Sequence, residues 1–325
     1  MEVYKTIRRV AIIGGGPKGI YGFERLAAWF KVNPPSERTE IHIFNRSDSF
    51  GAGENYRIAQ PAYLLINNPV GDINMWAEEK HSPVVNQPLS LTEWLCRNKD
   101  LHVMEHDYVS RAMTGRYLAN GFRSIASNLP EKVVGNYIVG EVTDIYKDSG
   151  KYALCMKTDS YEKQPRTDHY DHVLLATGHP KNRETNEQLR YQSFADEHNR
   201  AGYIPFIYPA ETVFTDLPPG CSVGIKGIGL MFVDAVLVLT EGKGGALQHD
   251  EKSEELVYMP SGYEPEVIFP FSRSGLPMLP RRSIPGEKSR LKFFTKPALQ
   301  KMQTGGKLDF NQQIWPLLRQ EMIYA

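Results

Sequence analysis

The run Arg9–Ile13 is short, apolar and β-branched, and it stops abruptly at Gly14-Gly15-Gly16-Pro17-Lys18-Gly19. Beyond the glycines, Ile20, Phe23, Leu26, Ala27 and Phe30 recur at helical spacing. An extended run handed to an amphipathic helix through a glycine turn leaves few folds open. Asn33-Pro34-Pro35-Ser36 stops the helix, and Glu40–Phe44 reads as a second strand. Strand, glycine turn, helix, strand is a βαβ unit, with a right-handed crossover.

The three spaced glycines have separable reasons. Gly14 permits the tight turn, Gly16 lets backbone approach a pyrophosphate, and Gly19 lets helix and strand pack closely. Pro17 and Lys18 open the helix, where a missing N–H costs nothing and free N–H groups face an anion. A tight turn without a ligand is the plain alternative; the strand before and the helix and strand after favour the ligand. A dinucleotide site normally closes its second strand with a carboxylate on the ribose, and Asn45 stands there instead. An amide accepts one hydroxyl hydrogen bond without the charge, a weaker contact. Asp48 is a nearby substitute, and Arg46 is either a partner for a 2′-phosphate or a solvated cation.

At 325 residues the chain has room for two domains. Phe50 to about Leu89 is rich in Gly, Asn and Pro and reads as irregular loops, and Leu91–Lys99 as a helix. Val133–Asp144 and Tyr152–Lys157 read as strands of a small antiparallel sheet, and His172–Thr177 as a buried strand of the central parallel type. The polar stretch Lys181–Arg200 marks a boundary, giving domains 1–190 and 191–325. A second strand–turn–helix follows: Cys221–Lys226, Gly227-Ile228-Gly229, then Leu230–Leu239, whose Leu230, Val233, Val236 and Val238 read as core. Phe232 takes the place of a third glycine, so a dinucleotide site and a merely structural turn both stay open.

Charge gives no further direction. Lys+Arg and Asp+Glu are both 38, so no nucleic acid or anionic membrane is demanded as partner. The segment Phe271–Lys307 carries nine Lys/Arg against one acid, Glu287, and is read as a cofactor edge or a solvated face. Three cysteines without C-x-x-C spacing point to a reducing, cytoplasmic setting. No signal peptide is read at the N-terminus, and Leu230–Leu239 is too short to span a bilayer. His102–His106 spells H-x-x-E-H, but its surroundings make no long helix and no third ligand is evident, so no metal is expected. His179 follows a strand end, either as a ligand donor or as a cap. No side chain declares itself a general acid or base, so no catalytic residue is named.

Several stretches together resemble the bacterial FAD/NAD(P)-binding proteins related to flavin-containing and N-hydroxylating monooxygenases. They are VAIIGGGPKG at 10–19, FGAGENY at 50–56, LLINNPVGDINMW at 64–76, RAMTGRYL at 111–118 and DHVLLATGHP at 171–180. Two more are GIKGIGLMFVDAVLVLTEGKGG at 224–245 and YMPSGYEPEVIFPFSRSGLP at 258–277. The resemblance implies an α/β fold, a Rossmann-like FAD-binding domain with a second, smaller Rossmann-like dinucleotide-binding domain. It implies that Gly14, Gly16 and Gly19 hold the FAD pyrophosphate, and that Phe50, Gly51, Gly53 and Tyr56 form a loop on the flavin side. Asn67, Asn68 and Pro69 would lie near the isoalloxazine, Thr177 and Gly178 would end the strand passing the FAD domain, and Gly227 and Gly229 would take a nicotinamide dinucleotide. Tyr258, Ser261, Arg273 and Ser274 would line that second site or a solvated loop. The expected function is an FAD-dependent oxidoreductase of monooxygenase type, using NAD(P)H on a small molecule. The alternative is a non-catalytic FAD carrier or sensor, because no Gly-Asp pair of the kind that touches flavin follows residue 200.

Overall fold

The computed structural model describes residues 7–77, 81–97, 102–157, 164–178, 182–250, 255–276, 278, 291–303 and 308–324. The chain forms two compact units, Met1–Met278 and Leu279–Ala325.

The first unit opens with β1 (Arg8–Ile13), α1 (Pro17–Val32) and β2 (Thr39–Asn45). α1 starts on Gly16 with Pro17 in its first turn, and buries Ile20, Phe23, Ala27 and Phe30 along one face. Next come α2 (Leu91–Arg97), α3 (Arg111–Ser127) and β3 (Val133–Val139). Ser110 caps α3, its side chain accepting from the Met113 N–H. β4 (Glu141–Asp148), β5 (Lys151–Lys157) and β6 (Gln164–Tyr170) form a three-stranded antiparallel sheet, and β7 (His172–Leu175) returns to β1. The main sheet has the order β3-β2-β1-β7 and every pairing is parallel.

Two expectations are corrected here. Val133–Asp144 is not one antiparallel strand: it divides at Gly140, whose N–H donates to the Asn45 carbonyl at 2.8 Å, and its first part joins the parallel sheet beside β2. The alternation of side chains reports a half-exposed strand but not its direction. The strand after His172 pairs only with β1 among the described residues, and Leu175 is 63% exposed. An apolar run marks a strand able to be buried on both faces; its neighbours decide whether it is.

The rest of the first unit runs through α4 (Asn186–Glu197), α5 (Ala210–Val213), β8 (Ser222–Lys226), α6 (Leu230–Leu239), β9 (Ala246–His249), β10 (Leu256–Met259) and β11 (Val267–Phe271). The polar stretch after Lys181 holds α4, opened by a capping box in which Thr185 and Gln188 bond reciprocally, with no buried residue. β8 and β11 pair in parallel and β9 and β10 form an antiparallel pair. β8, α6 and β11 thus repeat the βαβ plan in a smaller, Rossmann-like unit. The buried residues of α6 are Asp234, Ala235, Val238 and Leu239, whereas Leu230 and Val233 face outward. The helix is apolar nearly all round, so its composition could not tell which face turns inward.

In the second unit, α7 (Lys296–Gln303) precedes a π-helical turn, Phe310–Ile314, that runs into α8 (Trp315–Tyr324). The Glu321 carboxylate accepts the N–H groups of Lys292, Phe293 and Phe294. Much of the basic segment Phe271–Lys307 lies outside the described residues.

Candidate dinucleotide site

The first glycine turn sits where β1, β2 and β7 end. Gly14 has φ +111°, which favours glycine, and its N–H donates to the Phe44 carbonyl at 2.9 Å. A Cβ on Gly14 would overlap the Ala176 carbonyl, and one on Gly19 would overlap the Gly14 carbonyl. Strand, helix and the Ala176–Thr177 backbone therefore meet at a contact that tolerates no side chain. Gly16 is different. It has φ −78°, open to any residue, and a Cβ there would meet only the Gly53 Cα at 3.5 Å. Its N–H and those of Lys18 and Gly19 have no acceptor among the described residues. Helix N-termini carry such groups and a partial positive charge, the combination that binds phosphate. β2 and β7 flank β1 on opposite sides, so the turn also lies where the strand order reverses, the usual ligand crevice of an open parallel sheet.

The loop after β2 closes over this turn. Gly51 N–H donates to the Gly15 carbonyl at 2.8 Å, and Gly53 N–H to the Ser49 carbonyl at 3.2 Å. Gly53 has φ +61° and packs on Gly16 and Pro17, and further along the Tyr56 carbonyl rests against Gly115 of α3. The Asn45 amide is largely engaged at home: Oδ1 accepts from Gly15 N–H at 3.2 Å and Nδ2 donates to the Ser47 carbonyl at 2.9 Å. One lone pair and one N–H remain for a ligand. Lys18 and Arg46 are exposed beside the turn.

The structure therefore brings Gly14, Gly16, Gly19, Asn45, Gly51, Gly53 and Thr177 together at one crevice, with Gly178 next in the chain at φ +72°. Asn67 and Asn68 are exposed on a turn pinned at both ends, Ile66 N–H to the Val109 carbonyl and Val70 N–H to the Asp107 carbonyl. His179 lies outside the described residues. His102 and His106 sit on an irregular, exposed segment rather than one helix face, and no metal-sized cluster of His, Cys, Asp or Glu occurs among the described residues.

The second turn reproduces the first. Gly227 has φ +102°, and its N–H donates to the Phe271 carbonyl, the end of the parallel neighbour strand, at 2.8 Å. Gly229 caps α6 in extended conformation, as Gly16 caps α1. Among the described residues nothing lies within 4 Å of a Cβ built on either Gly227 or Gly229, whereas Gly53 packs on Gly16 at the first turn. At the opposite end of the β8–β11 pair, before the strands begin, Glu264 accepts the N–H groups of Ser261 and Gly262 and the Tyr258 hydroxyl, so Tyr258 and Ser261 lie away from this turn. The Ser261 N–H and the Tyr258 hydroxyl hold this carboxyl down to about 2. Because the folded value is depressed, the loop gains from the carboxylate above the ordinary 4.5 and loses that gain as pH falls toward about 2. In Glu264→Gln, amide exchange at Ser261 and Gly262 should be faster at neutral pH and lose its acid dependence across that window.

One cluster escaped the sequence reading. Asp234 of α6 is buried, and Arg111 at the start of α3 reaches both its oxygens, at 2.7 and 2.9 Å. Arg111 also donates to the Tyr208 hydroxyl at 2.7 Å and, through Nε, to the Leu65 carbonyl at 3.0 Å. Tyr208 in turn donates to Asp234, and burial with that carboxylate beside it pushes its hydroxyl up to about 12. The only sequence signal was one acid interrupting an apolar helix.

Two βαβ units with matching glycine turns define a Rossmann-like protein. The family model described as FAD-NAD(P)-binding matches residues 11–180, more than half of the 325 residues, and the chain belongs to that family. An L-aspartate N-monooxygenase (nitrosuccinate-forming) of Streptomyces davaonensis is 28% identical over 345 residues, covering 96% of this chain and 51% of its own length. A nitrosuccinic acid synthase of Aspergillus oryzae is 30% identical over 331 residues, covering 98% of this chain and 49% of its own. A solved ornithine N-hydroxylase of Kutzneria sp. 744 superposes with a TM-score of 0.45 at 14% identity, over 93% of this chain and 60% of its own. The chain spans about half the length of the curated relatives it matches. Among the described residues no helix is long and apolar enough to cross a membrane.

Proposed function

We propose that this chain is an FAD-dependent oxidoreductase of N-monooxygenase type, taking electrons from NAD(P)H and acting on a small amino-acid-like substrate. The observation that carries the reading is the first turn: three backbone N–H groups with no acceptor among the described residues, at Gly16, Lys18 and Gly19, where the covering loop meets Gly16 only at the Gly53 Cα. They would hold the FAD diphosphate, Asn45 the ribose through its remaining polar sites, and Thr177–Gly178 the far wall. The loop Phe50–Tyr56 would shield the turn from water, and Asn67–Asn68 would lie near the ring. FAD, when bound, supplies the hydride acceptor and the route to oxygen. The amino-acid class of substrate is taken from the names of the relatives, one an L-aspartate N-monooxygenase. Gly227 and Gly229 would seat the nicotinamide nucleotide, in a second domain beginning near residue 191. Cysteine usage supports a cytoplasmic setting.

Anaerobic titration of FAD-loaded protein tests the reading. Bleaching of the bound flavin by NADPH or NADH is the expected result. Flavin bound without bleaching favours a carrier or sensor, and a protein that no added FAD colours removes the proposal.

A further inference from the structure

The loop that closes over the first turn has its other end in the second half of the molecule. Leu64 is fully buried in an apolar cluster with Ala210, Ala235, Val238 and Leu239, and Arg57 forms an ion pair with Glu211 of α5. Leu65 then bridges to Ser110, directly before Asn67–Asn68. One guanidinium gathers these parts. Arg111 holds the Leu65 carbonyl with Nε and the Asp234 carboxylate with its terminal nitrogens, and Asp234 lies on the helix that begins at the second glycine turn. The Arg111 and Asp234 side chains are only 13% and 5% exposed.

We infer that the Arg111–Asp234 pair is a positioning device that fixes the helix of the second glycine turn against the chain carrying Asn67–Asn68. This inference rests on the two-nucleotide reading above. Fold stability alone does not call for such a pair, since well-packed apolar side chains of similar volume serve a buried position as well or better. A planar fork bonded to two elements at once adds a directional constraint on their mutual angle to the one that apolar packing supplies. Transfer between two bound nucleotides depends on that angle, and a misplacement of about 1 Å costs up to about a hundredfold in rate.

Three proteins test it: Arg111→Lys, which keeps the charge and loses the fork, the double variant Arg111→Met/Asp234→Leu, and wild type. Each is loaded with FAD and examined by rapid mixing with NADPH and by amide exchange of Ile66–Asn68 with and without NADP⁺. In Arg111→Lys the apparent NADPH affinity should stay within about threefold, while the limiting rate of flavin reduction falls about tenfold or more. Protection of Ile66–Asn68 on adding NADP⁺ should disappear. The double variant should melt like wild type yet keep the slow reduction. If it reduces as fast as wild type, or Arg111→Lys does, the pair is packing and the inference is wrong. Should wild type neither bleach nor gain protection, the two-nucleotide reading itself falls and takes this inference with it.

Discussion

Ala at position 16 should leave the fold intact and empty the site, whereas Ala at position 14 should damage the fold itself. Gly16 has φ −78° and room for a Cβ, so Gly16→Ala should shift stability by less than about 1 kcal/mol, a few degrees in melting temperature. The new methyl nevertheless stands where backbone must approach a diphosphate. Losing two charge-assisted hydrogen bonds, at about 1.5–3 kcal/mol each, would weaken FAD binding by roughly a hundredfold to ten-thousandfold. Gly14 combines φ +111° with overlap of the Ala176 carbonyl, so Gly14→Ala carries both a left-handed conformation and a steric clash. A cost of about 3 kcal/mol or more is expected, seen as a melting temperature lower by about 10 °C or as failure to accumulate. Fluorescence titration of FAD against each purified variant separates the two. Undiminished FAD affinity in Gly16→Ala would remove the diphosphate from this turn.

The second large effect concerns the choice of nicotinamide. Because Gly227 bonds to Phe271 as Gly14 bonds to Phe44, Ser272-Arg273-Ser274 occupy in the second βαβ the place of Asn45-Arg46-Ser47 in the first. No carboxylate stands there to take both ribose hydroxyls. Arg273 is exposed and has no ion-pair partner among the described residues. An exposed guanidinium at this position suits a 2′-phosphate, which it can hold with two parallel bonds. Arg273→Ser should therefore raise the KM for NADPH by about 10- to 100-fold, equivalent to about 1.5–3 kcal/mol, and leave that for NADH unchanged. Steady-state rates with both nucleotides decide it. An equal loss for NADPH and NADH would show that Arg273 supports the loop rather than the phosphate.

Much of the first site could be read from the sequence because its requirements are local. A strand must end, the chain must turn, and a helix must start within six residues, Gly14–Gly19, so the glycines that permit this sit side by side. The same locality exposed the second turn at Gly227–Gly229 and the helix faces of α1. Resemblance then tied the separate loops to one family without saying how they touch.

What the chain order could not supply was pairing across long separations. Arg111 and Asp234 are 123 residues apart, and nothing in the period of either helix announces the other. Asn45 read as a free ribose ligand because its neighbours in sequence say nothing of Gly15, 30 residues earlier, whose N–H it accepts. The direction of β3 and the exposure of β7 followed the same rule: periodicity records which side chains can be buried, and only the neighbouring strand decides whether they are. Backbone turns are thus written locally in glycine and proline. Charge pairs and strand order exist only once the folded chain has brought distant segments within hydrogen-bonding reach.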